Sequence, residues 1–395
     1  MDKFPLILFL EINKSNLTFY VGENNDYNFK SIYKLNVPIE GFENNRVSNF
    51  ETVLKIIKKN IYLIEEKVKF TFKDIVIILE NFHPTFVNLS GYKKLNGSQI
   101  LRENITYILN TLKSYVDQIE GKKTVLHIFN SKFNLDKKSI ANLPIGLFGD
   151  FYSHELAFSL IGSNDLKNLN NIFNNCNLKI KKVLLKSFLK GANLSEEILN
   201  TENFFHIQIE ENNSRIFYFE NSCLKFEQDF SFGSNIIFKD ISKVTSLKID
   251  NIKKIVEKIN FNKELINDEL IERQFFSDER YRKIKKGLIY DIALARIKEI
   301  IEIIIFENIN FKHYVKSIGT VSLEMRNDLF KNFNEIFKSI FLANNFDVKF
   351  LGDLDTENML KTANKLVHFG WKKEAIPIAK TKKTIIARFF DLLFD

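Results

Sequence analysis

The chain has 395 residues, 45% apolar and 27% charged, which excludes a disordered polymer or a small disulfide scaffold and leaves room for two or more cored domains. Its net charge of +8 is spread along the sequence rather than clustered, so it admits anionic partners without choosing among nucleic acid, lipid and acidic protein. The two cysteines, Cys176 and Cys223, have neither metal-like nor redox-like spacing, and no apolar run reaches the length of a signal peptide or a membrane-spanning helix, so a cytosolic body with at most peripheral membrane contact is expected.

Residues 6–12 and 17–21 read as two strands joined by a polar turn at 13–16, and 29–37 as a third. Phe50, Val53, Leu54, Ile57, Ile61 and Ile64 recur at helical spacing, and 75–79 returns to a strand, the opening of an α/β layer. A second unit begins near His83, with a short strand at 86–89. Ser98 is placed to cap a helix carrying Leu101, Ile105, Ile108, Leu109, Leu112, Tyr115 and Val116. A strand at 125–129, a loop at 142–149 and a strand at 154–161 follow. From 166 the order restarts with a helix to 173 and a strand at 180–185. Three successive strands at 204–209, 214–219 and 224–230 repeat the opening motif, an internal duplication of element order. Helices at 235–244 and 249–259, a long helix from 283 to 309, a strand at 315–318, a helix at 329–340, a strand at 348–351 and a helix at 360–369 complete the body. Pro377 and several lysines mark 371–383 as a linker.

The final stretch, 384–395, is amphipathic. At about 100° per residue, Ile385, Ile386, Phe389, Leu392 and Leu393 share one face, Phe390 and Phe394 widen it, and Thr384, Arg388, Asp391 and Asp395 lie opposite. With Lys380, Lys382 and Lys383 just before it, this is the make-up of a helix that lies in a membrane interface. The same pattern also fits a last helix docked on its own body. The six histidines, His83, His127, His154, His206, His313 and His368, have no metal-ligand spacing, and no metal site is expected.

Several segments, in order, resemble the FtsA family of bacterial cell-division proteins. They are Leu126-His127-Ile128, Phe133-Asn134-Leu135-Asp136 and Asn142-Leu143-Pro144-Ile145-Gly146-Leu147-Phe148-Gly149, then Phe232-Gly233-Ser234-Asn235-Ile236-Ile237-Phe238-Lys239-Asp240-Ile241, Ala295-Arg296-Ile297-Lys298-Glu299-Ile300 and the terminal helix. The resemblance covers nearly the whole chain. It implies an α/β, actin-like (ribonuclease H-like) duplicated fold with a small α+β inserted domain of SHS2 type and a C-terminal amphipathic helix. The implied divisions are 1–82 with 164–200 as the first actin-like domain, 83–163 as the insert, 201–370 as the second domain, 371–383 as the linker and 384–395 as the membrane-targeting helix.

The nucleotide motifs depart from that family. Its first phosphate turn resembles Leu-Asp-Ile-Gly-Thr-Ser, where this chain has Leu10-Glu11-Ile12-Asn13-Lys14-Ser15. Its second resembles Ile-Asp-Ile-Gly-Gly-Gly-Thr-Thr, where this chain has Ile207-Gln208-Ile209-Glu210-Glu211-Asn212-Asn213-Ser214. Its Gly-rich adenosine loop is reduced to Gly319 in Ser317-Ile318-Gly319-Thr320-Val321-Ser322. A carboxylate about 4 Å from a phosphate costs on the order of 4 kcal/mol at an effective dielectric of 20. The expectation is a degenerate nucleotide site at Asn13, Lys14, Ser15, Asn212, Asn213, Ser214 and Gly319, with ATP and magnesium binding weak or lost, no catalytic residue and no enzyme.

The resemblance further implies four kinds of partner. The C-terminal peptide of FtsZ is expected at Arg280, Lys283 and Arg296, the first two in the densest basic run. Copies of the body are expected to associate into filaments, and other division proteins to bind the insert. Lipid is expected at Ile385, Ile386, Phe389, Phe390, Leu392 and Leu393. The expected location is the cytoplasmic face of the inner membrane at the division site, with no nucleic acid bound. Two other readings fit the same fold: a PilM-like assembly protein of a pilus or secretion platform, and an ASKHA-type sugar or acetate kinase, which needs intact Gly-rich turns and catalytic acids.

Overall fold

The computed structural model describes residues 5–13, 15–25, 28–43, 46–80, 82–258, 269–276, 279–312, 314, 319–325, 333–352 and 356–375. Lys14, the expected strand at 315–318 and the amphipathic stretch 384–395 lie outside the described residues. The chain divides into two compact units, 1–185 with the stretch from 364 onward, and 186–363.

The first unit opens with β1 (Leu6–Ile12), β2 (Asn16–Asn25) and β3 (Asn28–Pro38), an antiparallel meander. A two-residue pair, β4 (Phe42–Glu43) and β5 (Arg46–Val47), leads into α1 (Phe50–Val68). Asn49 caps α1 by accepting the Thr52 N–H at 3.0 Å. Then β6 (Asp74–Leu79) and, much later, β11 (Lys179–Leu185) run parallel to β1, in the sheet order β11-β6-β1-β2-β3. Leu8, Phe9, Leu10 and Ile12 of β1 are all buried, which is why apolar residues occupy both faces of this strand rather than alternating.

The second unit repeats that order. It has a meander of β12 (Phe204–Ile209), β13 (Ser214–Glu220) and β14 (Cys223–Phe230), then β15 (Thr320–Met325) and β16 (Asp347–Leu351) parallel to β12, in the order β14-β13-β12-β15-β16. Read outward from its first strand, each sheet has the hairpin strands on one side and the two parallel strands on the other. This repeated order is an actin-like duplicated α/β fold.

Between β6 and β11 lies an insert with a four-stranded antiparallel sheet, β7-β10-β8-β9, made of β7 (Thr85–Lys94), β8 (Lys123–Leu135), β9 (Lys138–Ile140) and β10 (Phe151–Gly162). Helix α2 (Arg102–Ile119) packs on it, and α3 (Ser163–Asn174) leads out to β11. The expected short strand at 86–89 is the ten-residue β7, whose second half alternates exposed Ser90, Tyr92 and Lys94 with inward neighbours. Ser98 does not cap α2. Its hydroxyl donates to the Leu95 carbonyl, and Asn104 Oδ1 accepts the Leu101 N–H at 2.8 Å instead.

The boundary between the units falls at 186 rather than 200. Helix α4 (Lys186–Asn193), with the π-helical turn Leu194–Ile198, packs in the second unit, where Gly191 lies so close to the Phe219 ring that no Cβ fits. That unit also contains α5 (Asn235–Thr245), α6 (Ile249–Lys258), α7 (Lys286–Ile301), α8 (Asn334–Ala343) and the first part of α9 (Thr356–His368). The long helix expected over 283–309 is the shorter α7, because Lys285 is extended (φ −77°, ψ 141°) and a π-helical turn, Glu302–Phe306, closes it.

Of the expected linker 371–383, residues 371–375 are packed on the first unit and 376–383 lie outside the described residues. Trp371 and Ala375 are each only 7% exposed. The Asn130 N–H donates to the Lys373 carbonyl at 2.7 Å, and the Ala375 N–H to the Ile128 carbonyl at 2.7 Å, so residues 373–375 extend the insert sheet beside β8. Glu374 clamps this strand: its carboxylate accepts from Lys182 Nζ at 2.8 Å and lies 3.3 Å from His127 Nδ1. Burial alone would raise the Glu374 carboxyl, but His127 and Lys182 overcome it and bring the pKa from its ordinary 4.5 down to about 2.

A carboxyl depressed in the folded state stabilises it above the unfolded pKa and loses that contribution as pH falls through the folded one. The clamp is therefore complete above pH 4.5 and released as pH falls towards about 2. Trp371 is the single tryptophan and reports it directly. Glu374→Gln is expected to red-shift the tryptophan emission already at neutral pH; an unshifted spectrum would remove Glu374 from this role.

Candidate functional site

The sites follow from the turns that close the two hairpins. In the first unit the β1–β2 turn folds around Asn13. Its Oδ1 accepts the Ser15 N–H at 2.9 Å, the Asn16 N–H at 2.7 Å and the Ser15 hydroxyl at 3.3 Å. The Asn13 N–H in turn donates to the Asn16 carbonyl at 3.1 Å. In a glycine turn such amides point outward as an anion-binding nest. Here the side chain of Asn13 takes the place of the anion.

The β12–β13 turn is closed in a different way. The Glu210 N–H donates to the Asn213 carbonyl at 2.9 Å, and the Glu210 carboxylate accepts from Gln208 Nε2 and from Asn213 Nδ2, each at 2.8 Å. The Ser214 hydroxyl donates to the Phe232 carbonyl at 2.8 Å, and Asn212 Oδ1 accepts from Asn235 Nδ2 at 3.1 Å. The start of α5 is turned onto the same loop: the N–H groups of Ser234 and Asn235 donate to the carbonyls of Glu210 and Glu211, both at 2.9 Å. Only glycine permits this approach, since a Cβ at Gly233 would lie 2.8 Å from the Asn212 nitrogen. These amides of the helix start, which would otherwise favour an anion, are already satisfied.

Beneath this turn lies a buried charge network absent from the sequence reading. Lys190, from α4, donates to Glu324 Oε2 and Gln208 Oε1, both at 2.9 Å. Glu324 sits on β15 directly beside Gln208 on β12. His206 Nε2 lies 3.3 Å from Glu324 Oε2, and His206 Nδ1 is 2.9 Å from the Ser322 hydroxyl. Lys190 and Glu324 are only 5% and 2% exposed. Burial would raise the Glu324 carboxyl, yet His206 and Lys190 hold it well below the usual carboxylate range; burial pushes His206 down, keeping it neutral.

The structure brings Asn212, Asn213 and Ser214 together but not Gly319. Gly319 immediately precedes β15, whereas Met325 at the other end of that strand is the residue that pairs with Ile209 at the turn. Thr320, Val321 and Ser322, expected in an adenosine loop, are strand residues. The expected FtsZ-contact residues are also in different settings. Arg280 and Lys283 are exposed ahead of α7. Between them, Arg282 donates to the Thr245 and Ser246 carbonyls at the C-terminus of α5, at 3.0 and 2.6 Å. Arg296 is ten residues into α7, about 15 Å along the axis, where its guanidinium pairs with Asp240 of α5 and with Glu299 at 2.7 Å. Thus two of the motifs read from the sequence meet as an ion pair that ties α5 to α7. Among the described residues no group of three or more His, Cys, Asp or Glu could hold a metal, and no helix is long and apolar enough to cross a membrane.

Two copies of one five-strand order, each opening on such a hairpin, define the actin-like class. Within it the chain is FtsA-like: it is 22% identical over 277 residues to the cell division protein FtsA of Buchnera aphidicola subsp. Baizongia pistaciae (strain Bp), across 69% of this chain and 64% of that protein. The match thus spans less than two thirds of the relative's length. No protein-family model matches. Similar solved structures include the PilM-PilN type IV pilus biogenesis complex (TM-score 0.48, 10% identity, 92% of this chain and 96% of that one). Another is MreB5 of Spiroplasma citri bound to ADP (TM-score 0.43, 9% identity, 92% of this chain and 96% of that one). Overlays at these scores carry no weight beside the strand order itself.

Two substitutions test the site. Asn13→Ala strips two turn amides of their acceptor and is expected to cost about 1–2 kcal/mol in urea unfolding. Lys190→Met leaves Glu324 buried without its cation and is expected to cost about 3–5 kcal/mol, most of it recovered in Lys190→Met/Glu324→Leu. A double variant no more stable than the single one would contradict the pairing.

Proposed function

We propose that this protein is a non-catalytic adaptor of bacterial cell division: its actin-like body binds the C-terminal peptide of FtsZ and other division proteins, copies of the body associate, and residues 384–395 hold it to the cytoplasmic face of the membrane. The observation that supports the non-catalytic part is that Asn13 Oδ1 takes up the Ser15 and Asn16 N–H groups of the first turn, and that the Glu210 and Glu211 carbonyls take up the Ser234 and Asn235 N–H groups at the start of α5. The residues present do not fit a magnesium triphosphate. Glu210 and Glu211 add negative charge at the second turn. What remains for such a body is assembly and attachment.

The clamp at Glu374 supports the attachment reading. It holds the chain at Ala375, and the sequence that follows, 376–395, is the stretch to which we assign attachment. One short helix binds lipid weakly, and association of bodies multiplies its hold through effective concentration. For the FtsZ peptide, Arg280 and Lys283 are the contacts we assign, while Arg296 positions α7 on α5.

Flotation on anionic vesicles tests the attachment. The full chain is expected to float and a chain ending at Lys383 to stay at the bottom; equal flotation would reject the anchor. Peptide capture tests the adaptor role. The FtsZ C-terminal peptide is expected to bind and to weaken with Arg280→Ala/Lys283→Ala, whereas capture of a pilus inner-membrane peptide in its place would favour the pilus-assembly reading.

A further inference from the structure

The outer edge of β8 takes an added strand. Among the described residues β9 pairs with it only at 133–135, and farther along the chain's own residues 373–375 add antiparallel at 128–130. The backbone holds that addition through the Asn130 N–H to the Lys373 carbonyl and the Ala375 N–H to the Ile128 carbonyl, both at 2.7 Å. Between these bonds lies a receptor for a carboxylate. Lys182 Nζ donates to Glu374 Oε2 at 2.8 Å and to the Leu366 carbonyl at 3.1 Å, so α9 keeps the ammonium in place when the carboxylate leaves. His127, 1% exposed, presents Nδ1 to Glu374 Oε1 at 3.3 Å, and against a carboxylate Nδ1 carries the ring proton.

The segment that fills this edge is a strap on a glycine hinge. Helix α9 ends at His368, Phe369 beyond it is 60% exposed, and Gly370 has φ +70°, a conformation that favours glycine. Trp371 and Ala375 are buried at the two ends of the strap, and Lys373 Nζ lies 5.8 Å from the centre of the Phe133 ring. A second copy carries the same strap and the same edge. Rotation at Gly370 lets a strap leave its own β8 for that of another copy, where each contact re-forms unchanged. Exchange of an identical element is a low-cost route to association. In dilute solution the tethered strap prevails, since its effective concentration is in the millimolar range; in bodies held side by side a neighbouring strap competes on equal terms.

We propose that the outer edge of β8, with Lys182 and His127, is a strand-addition site for an extended segment bearing a carboxylate, and that residues 371–375 of a second copy are its occupant when copies associate. Crowding of copies opens the strap of one and seats it on the next. This deepens the association of bodies given under the proposed function. It uses neither the FtsZ peptide nor lipid, so its failure is separate from theirs.

Trapping between chains tests the exchange. Full chains with Cys176→Ala and Cys223→Ala carry either Asn130→Cys, on the receiving edge, or Lys373→Cys, opposite it on the strap. After mixing, a disulfide between the two kinds of chain is expected to form about tenfold faster than when Ser139→Cys, on β9, replaces Asn130→Cys, and to speed up with protein concentration. Equal rates would overturn the exchange. A labelled peptide of residues 369–375, capped at both ends, tests the site itself. It is expected to bind the full-length Glu374→Gln protein, whose own strap has lost its clamp, about tenfold more tightly than the unsubstituted protein. Replacing the peptide's own glutamate by glutamine is expected to weaken it by a similar factor. Equal binding to both proteins, or binding indifferent to the peptide's glutamate, would overturn the site.

Discussion

A backbone N–H in a tight turn needs an acceptor, and the identity of that acceptor decides what an actin-like body can do. Where glycines make the turn, phosphate can be the acceptor. In this chain Asn13 Oδ1 serves the first turn, and the carbonyls of Glu210 and Glu211 serve the N–H groups of Ser234 and Asn235. Those N–H groups are thus satisfied within the protein. The close approach of Gly233 to Asn212 keeps the second turn and the start of α5 locked together.

The Lys190–Glu324 pair extends the same logic into the core of the second unit. A buried pair of this kind is weak as a source of stability but severe as a constraint, because neither partner can be lost alone. It joins α4, β12 and β15 through Lys190, Gln208 and Glu324. The second turn rests on this network through Gln208, whose amide donates to Glu210. Lys190, Glu324, Gln208 and Glu210 therefore form one connected polar set.

The fold was legible where apolar runs are local. β1 and β12, with their hairpin partners, stand out as continuous buried strands, and their repetition points to the duplicated sheet order. Legibility failed where a polar residue is buried against a partner far away in sequence. Ser322 was read as part of a loop, but it lies on β15 beside His206, and Gly319 precedes that strand at the end away from the turn. Trp371–Glu374 read as linker for the same reason: the partners of Glu374 are His127 and Lys182. Arg296 was legible as a motif but not as a strut, since Asp240 lies on another helix.

The proposed adaptor role requires a body whose turns hold no nucleotide. Calorimetric titration of the full chain with ATP and magnesium tests that statement most directly. The account predicts no saturable heat. A saturable isotherm with a micromolar dissociation constant would contradict it, because it would require Asn13 and the 210–213 turn to open for phosphate.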